Sequence, residues 1–181
     1  MEHFYETIDG WFDFQDVYAG QVKIAKDGAH FVEIGAWLGK STAYMGVEIL
    51  NSGKQIRFDV VDTWQGSEGE LDAWHSLAKQ EDIFQLFTKN TQAVAAVVSP
   101  VRSSSVEAAK SYPDGSIDFI FIDANHSYEF VKADIAAWYP KLKKGGYIGG
   151  HDYNWESVKR AVDGYFGNGI QAIGISWLYL K

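Results

Sequence analysis

Apolar residues along the chain alternate between short runs and stripes spaced three or four apart, a pattern that predicts strands and helices by turns. Phe14, Val17, Tyr18, Val22 and Ala25 follow helical spacing, with Asp13 or Asp16 as candidate caps. His30 to Ile34 is a short apolar run ending at Gly35, read as a buried strand. Ser41 and Thr42 can cap a helix running to about Leu50, closed by Asn51-Ser52-Gly53. Ile56 to Asp62 is the second strand, and Ile83, Leu86, Phe87, Val94, Val97 and Val98 share one helical face with Pro100 as the stop. Pro100 to Ser103 is expected as a short third strand. Ile117 to Asp123 is the strongest strand, introduced by Pro113-Asp114-Gly115.

Tyr128, Val131, Ile135 and Trp138 mark the next helix, with Gly145-Gly146 past its end and Tyr147 to Gly150 as a fifth strand. Val158, Ala161, Val162, Tyr165 and Phe166 form the last stripe, and Ile170 to Leu180 reads as one or two closing strands broken near Gly174. Strands alternating with helices imply βαβ units. The fold class is therefore α/β, a three-layer doubly wound Rossmann-like sandwich with a mostly parallel sheet. A chain of 181 residues without repeat or linker is expected to be one domain, with residues 1–28 as an N-terminal helical cap segment and 29–181 as the core.

Composition narrows the chemistry. Zero cysteines exclude disulfides, thiol nucleophiles and Fe–S clusters, and with the non-basic start Met-Glu-His-Phe they fit a cytoplasmic protein. The net charge of −8 removes the positive field that draws proteins to nucleic acid or anionic membrane, and no run reaches a membrane span. No nucleic-acid or membrane partner is expected, and a small or cationic ligand suits the charge better. The aromatic content, 15% of the chain, is high; exposed rings are compatible with a homodimer.

In a doubly wound sheet the ligand lies outside the carboxyl ends of the strands. Those ends read Glu33-Ile34-Gly35-Ala36-Trp37-Leu38-Gly39, Asp62-Thr63, Ser103-Ser104-Ser105, Asp123-Ala124-Asn125-His126 and His151-Asp152. The dinucleotide fingerprint G-x-G-x-x-G fails because Trp37 stands at its second glycine. Gly39-Lys40-Ser41 ends like a phosphate-binding loop, but only three residues separate Gly35 from Gly39 where four are needed. An acid, two glycines and a second acid, Glu33, Gly35, Gly39 and Asp62, suit a nucleoside without phosphates, since a carboxylate accepts from both ribose hydroxyls. With Glu33 favouring a cation nearby, the ligand that fits is S-adenosylmethionine (SAM).

Four motifs in order carry a resemblance: V-E-I-G-A-W-L-G-K-S-T (32–42), F-D-V-V-D-T-W (58–64), F-I-D-A-N-H-S-Y-E-F-V-K-A-D-I (121–135) and L-K-K-G-G-Y-I-G-G-H-D-Y (142–153). Over residues 30–166 the chain resembles a class I SAM-dependent methyltransferase, of the small standalone group similar to sugar and catechol O-methyltransferases. The resemblance implies a seven-stranded sheet whose last strand is antiparallel. It also implies that Glu33, Gly35, Ala36, Trp37, Gly39 and Ser41 line the methionine and ribose side of SAM, and that Asp62 holds the ribose hydroxyls. Thr63 and Trp64 would border the adenosine, and Asp123 and His126 would approach the cofactor from strand four. The family often has an acid after strand three for the adenine amino group; here Ser104 and Ser105 stand in its place.

Related sugar and catechol enzymes hold Mg²⁺ between carboxylates at the ends of strands four and five, and Asp123 and Asp152 match them. Magnesium or another divalent cation is therefore expected beside SAM, with His151 less apt as a ligand because Mg²⁺ prefers oxygen. Asp123, His126 and His151 are the catalytic candidates. Either histidine can take the acceptor's proton, and His151 can instead orient Asp152. The expected acceptor is a small molecule, a sugar or phenolic hydroxyl; the alternatives are a SAM or nucleoside-binding module without transfer chemistry and a phosphate-loop transferase. A nucleic-acid substrate is further disfavoured by the absence of an Asn/Asp-Pro-Pro-Tyr/Phe signature after strand four. The rings at 10–14 and the loop from Trp64 to Trp74 are expected to roof the site; His3, His30 and His75 carry no motif and are expected to be structural, as is Asp134.

Overall fold

The computed structural model describes residues 1–66 and 82–181. Among these residues seven strands form one sheet: β1 (His30–Ile34), β2 (Arg57–Asp62), β3 (Val98–Arg102), β4 (Ile117–Ile122), β5 (Leu142–Gly150), β6 (Gln171–Ile173) and β7 (Ser176–Leu180). Their spatial order is β3-β2-β1-β4-β5-β7-β6. The first five run parallel, while β7 lies antiparallel to both β5 and β6. The helices are α1 (Gln15–Ile24), α2 (Lys40–Ser52), α3 (Ile83–Asn90), α4 (Ser105–Ala109), α5 (Tyr128–Trp138) and α6 (Glu156–Phe166). This is the expected three-layer Rossmann-like sandwich, and the last strand, β7, is antiparallel as the resemblance implied.

The alternation of side chains along each strand sorts the core into two chemically different layers. Phe31, Phe58, Phe119 and Phe121 project to one face with Val17, Tyr18 and Val22 of α1, the buried face of α2, and Ile83 and Phe87 of α3. Val32, Ile34, Val61, Ile120, Ile122 and Ile148 project to the other, against α4, α5 and α6. Burying each large side chain stabilises the fold by roughly 1.5–3 kcal/mol, so the aromatic layer alone explains much of the ring surplus. Phe4, Tyr5 and Phe12 pack against the same layer, with Tyr5 edge-on to Phe12 and to Tyr44 of α2 and Phe12 tilted against Tyr44. The expected N-terminal roof is thus largely a core wedge, with Trp11 left 65% exposed.

Three local expectations are corrected. The stripe from Ile83 to Val98 is not one helix: α3 ends at Asn90, and a short 3-10 turn, Gln92–Val94, carries Val94 back into the core. A 3-10 turn has nearly the helical period, so spacing could not reveal the break. Pro100 therefore stops no helix; it sits inside β3, opposite Val60, on an edge strand where its missing N–H is tolerated. β5 begins at Leu142 rather than Tyr147 and includes Gly145-Gly146, with a register shift against β4 between Ile117 and Phe119. Ser41 and Thr42 do not cap α2, whose N-cap is Gly39 in a left-handed conformation with no side-chain cap bond.

Because β1 pairs with β2 on one side and β4 on the other, strand order reverses between β1 and β4. The crevice of such a sheet opens at the carboxyl ends there. Among the described residues no helix is long and apolar enough to cross a membrane.

Candidate functional site

Main-chain hydrogen bonds bring the strand ends together. The Asp123 N–H donates to the Ile34 carbonyl at 2.8 Å, and the His151 N–H donates to the Ile122 carbonyl at 3.2 Å. Asn125 accepts from the Ser127 N–H at 2.9 Å to turn the chain into α5, and Ser157 donates to the His126 carbonyl at 2.7 Å, fastening this loop to α6. His126 Nε2 then lies 2.9 Å from Asp152 Oδ2 and 3.8 Å from Asp123 Oδ1. His151 Nδ1 stands 3.1 and 3.8 Å from the same two oxygens. Two imidazoles thus converge on two carboxylates, and a small cleft lined by Asp123, Asn125, His126 and His151 opens beside them.

The imidazoles differ in what else they do. His151 Nε2 is 2.7 Å from Asp13 Oδ1, so both of its ring nitrogens face carboxylates. Burial lowers its pKa, but Asp152, Asp123 and Asp13 outweigh burial and raise it to about 9. With a carboxylate against each ring nitrogen, His151 is placed to orient Asp152. Burial works against the Asp152 carboxylate too, yet the bonds from His126 and His151 hold it well below the ordinary carboxylate range. His126 is covered by the ring of Trp155 at 4.9 Å and is left as the candidate base. One ligand atom each from Asp123, His126 and Asp152 lie within 4.8 Å of one another.

The glycine loop is tied down by Asp62, whose Oδ2 accepts from the N–H groups of Ala36 at 2.8 Å and Trp37 at 3.0 Å, while Oδ1 accepts from Trp64 N–H at 2.7 Å. The Gly39 N–H donates to the Ala36 carbonyl. The amides a phosphate would need are taken by a carboxylate, which removes the physical basis of the phosphate-loop alternative. One lone pair of Asp62 Oδ1 remains for a hydroxyl. Trp37, Trp64 and Asp152 hold left-handed backbone with φ of 49, 52 and 55°, one each at the ends of β1, β2 and β5. Such strain gathers at ligand-handling positions.

Several residues expected at the cofactor turn out to serve the protein's own packing. Glu33 is 1% exposed; its carboxylate accepts from Tyr18 Oη at 2.8 Å and from the Thr42 and Ser41 hydroxyls. It therefore does not line an open surface, and Ser41 is spent on it. Burial raises its pKa to about 7 despite those bonds. A Cβ on Gly35 would lie 2.0 Å from the Asp123 carbonyl oxygen, and one on Gly39 would lie 2.6 Å from Thr91 Cγ2, so the neighbouring chain itself demands glycine at both positions. Trp64 is 3% exposed, packs on Phe84 and Phe87, and donates to the Trp37 carbonyl at 3.1 Å, which keeps its indole from bordering an adenosine.

Ser105 accepts from the Trp138 indole at 2.9 Å and bonds the buried Asp134, whose carboxyl burial raises to about 6, so its hydroxyl is already engaged within the protein. Ser104 is exposed and Trp37, Asp62 and Thr63 are half-buried at the strand ends, whereas the Ala36 side chain is buried. His3 stacks on Tyr44 and His30 pairs with the buried Asp59, both structural as expected. The remainder of the roof loop and His75 lie outside the described residues. Two contributors from the N-terminal segment, Asp13 and Tyr18, escaped the sequence reading. Asp13 stood out only as a candidate cap, although the N-cap of α1 is Phe14 with no side-chain cap bond, and Tyr18 only as a member of a helical stripe.

The methyltransferase domain family matches residues 32–153, most of the chain and all five strand ends. The chain belongs to this methyltransferase family. A curated relative, the uncharacterized protein y4gI of Sinorhizobium fredii (strain NBRC 101917 / NGR234), is 33% identical over 92 residues, 51% of this chain. The chain spans only 10% of that relative's length. Among solved structures, the O-methyltransferase NovP superposes with a TM-score of 0.70 at 19% identity, over 92% of this chain and 78% of its own. CalS11, a TDP-rhamnose 3′-O-methyltransferase of calicheamicin biosynthesis, gives 0.59 at 15%, over 92% and 76%. A SAM-dependent O-methyltransferase from Thermotoga maritima gives 0.61 at 12%, over 90% and 53%. At these identities the likeness to the methyltransferase structures is one of fold.

Proposed function

We propose that this methyltransferase carries a methyl group from SAM to a hydroxyl oxygen of a small acceptor, a sugar or a phenol, at the carboxyl ends of β4 and β5. The observation that carries this reading is the convergence of Asp123, His126 and Asp152 within 4.8 Å beside a crevice whose loop amides leave no anion nest. A phosphate-free, cationic nucleoside suits that chemistry: Asp62 offers its remaining lone pair to the ribose, and Ala36, Trp37, Thr63 and Ser104 edge the same rim. When bound, SAM supplies an electrophilic methyl on a sulfonium.

The chain's own part is to hold the acceptor oxygen in line, at about 3–3.5 Å, and to receive its proton. His126 Nε2 is the atom placed for that proton, and Asp152, 2.9 Å away, stabilises the charge that the ring then carries. The carboxylates of Asp123 and Asp152 also offer oxygen donors for a divalent cation such as Mg²⁺, which leaves His126 Nε2 to take the proton. Such an ion lowers the pKa of a hydroxyl it holds.

The test is transfer of label from methyl-tritiated SAM to a panel of sugars and phenols, with chelated protein and with Mn²⁺ or Mg²⁺ restored. Expected are release of S-adenosylhomocysteine with at least one hydroxylated acceptor, loss of transfer on chelation, recovery with the ion, and a fall of about a hundredfold or more in turnover for His126→Ala. Full activity after chelation would remove the cation from the reading. No transfer to any hydroxyl by a protein that binds SAM would replace it with the binding-module alternative.

A further inference from the structure

The family match begins at residue 32, yet the site reaches outside it. Asp13, just before α1, places Oδ1 2.7 Å from His151 Nε2, across 138 positions of sequence. On the far side of the same ring, Nδ1 stands 3.1 Å from Asp152 Oδ2, the oxygen that His126 Nε2 approaches to 2.9 Å. We propose that Asp13 is a positioning residue: by holding Nε2 it fixes the orientation of the His151 ring, and through Nδ1 it fixes the Asp152 oxygen that the reaction uses. The inference rests on the methyl-transfer reading above, and it makes the N-terminal segment a working part of the site rather than a wedge alone.

Geometry supports each link. A ring bonded through one nitrogen can rotate or flip; bonded through both, it loses two hydrogen bonds on flipping, so its orientation is fixed. Phe14, adjacent to Asp13, packs 5.0 Å from the His151 ring and 4.6 Å from Phe121, closing the side from which the ring could swing. Asp152 sits in left-handed backbone at φ 55°, a conformation that persists where surroundings hold the side chain. The His151 side chain is 9% exposed and that of Asp13 is 63% exposed. An ion pair with one partner largely in water contributes little to folding. Its effect therefore falls on orientation, and removing Asp13 should leave a folded protein.

The experiment uses the full chain with Asp13→Ala, Asp13→Asn and Asp13→Glu, each measured for thermal midpoint, for the imidazole ¹⁵N resonances of His151 at fixed pH, and for kcat and KM. Expected for Asp13→Ala is a thermal midpoint near wild type, a displaced Nε2 resonance, and kcat lower by roughly tenfold with KM for SAM unchanged. Asp13→Glu, which keeps the carboxylate, should recover part of both the resonance and the rate. Unchanged His151 resonances, or a rate loss shared equally by all three variants and matched by lower thermal midpoints, would overturn the proposal. If wild type transfers no methyl group, the functional reading fails separately, and the resonances still decide whether Asp13 holds His151.

Discussion

Gly35→Ala should destabilise the protein by roughly 2–5 kcal/mol and lower methyl transfer by about a hundredfold in whatever fraction still folds. The added Cβ would lie 2.0 Å from the carbonyl oxygen of Asp123 and 2.8 Å from the Ala124 Cα, both backbone atoms that cannot swing aside. Its φ of +87° adds left-handed strain for any side chain. Relief requires β1 and β4 to separate at their carboxyl ends, which carries Asp123 away from His126 and Asp152. Gly53→Ala is the matched control: φ is also positive, at +67°, but nothing lies within 4 Å, so only conformational strain of about 1 kcal/mol is expected and activity should hold. Denaturant midpoints and turnover of the two variants side by side make the comparison. Equal, small effects would mean that the β1–β4 approach does not set the site.

The second large effect is a pH dependence of stability that Glu33→Gln abolishes. Glu33 titrates at about 7 in the folded protein against an ordinary 4.5, chiefly because burial penalises its charged form. Between those values the folded state binds more protons than the unfolded one, so stability falls as pH rises from 4.5 through 7. A displacement of that size corresponds to about 3 kcal/mol, lost by pH 8. Glutamine keeps an amide in the Tyr18, Ser41 and Thr42 network without a charge to bury. Urea unfolding at pH 5 and pH 8 should show this decline in wild type, superposed on other titrations, and show it reduced by about that amount in the variant. Identical pH dependence in both proteins would contradict the buried-acid assignment.

The sequence made legible what depends on periodicity and on strand ends. Five carboxyl-end signatures located Asp62, Asp123, His126, His151 and Asp152 on one rim, because parallel strands separated by helices put all their ends on the same side. It could not say which way a side chain at that rim turns. Glu33 and Trp64 match the motifs, and Ser105 stands in place of the family's acid, yet all three point into the protein, where Tyr18, Phe87 and Trp138 meet them. Nor could spacing relate Asp13 to His151, since that contact is made by a segment preceding the first βα unit and folding across the end of the sheet. The motif glycines were read as room for a ligand; the structure shows that they are also room for Asp123 and Thr91.

Calorimetric titration of the purified full chain with SAM and with Mg-ATP, repeated for Asp62→Ala, tests the central claim most directly. The proposed site predicts SAM binding, no ATP binding, and loss of SAM affinity in Asp62→Ala, because that carboxylate anchors the 36–37 amides and, on the proposed reading, gives its remaining lone pair to a ribose hydroxyl. Binding of ATP without SAM, or SAM affinity indifferent to Asp62, would contradict it.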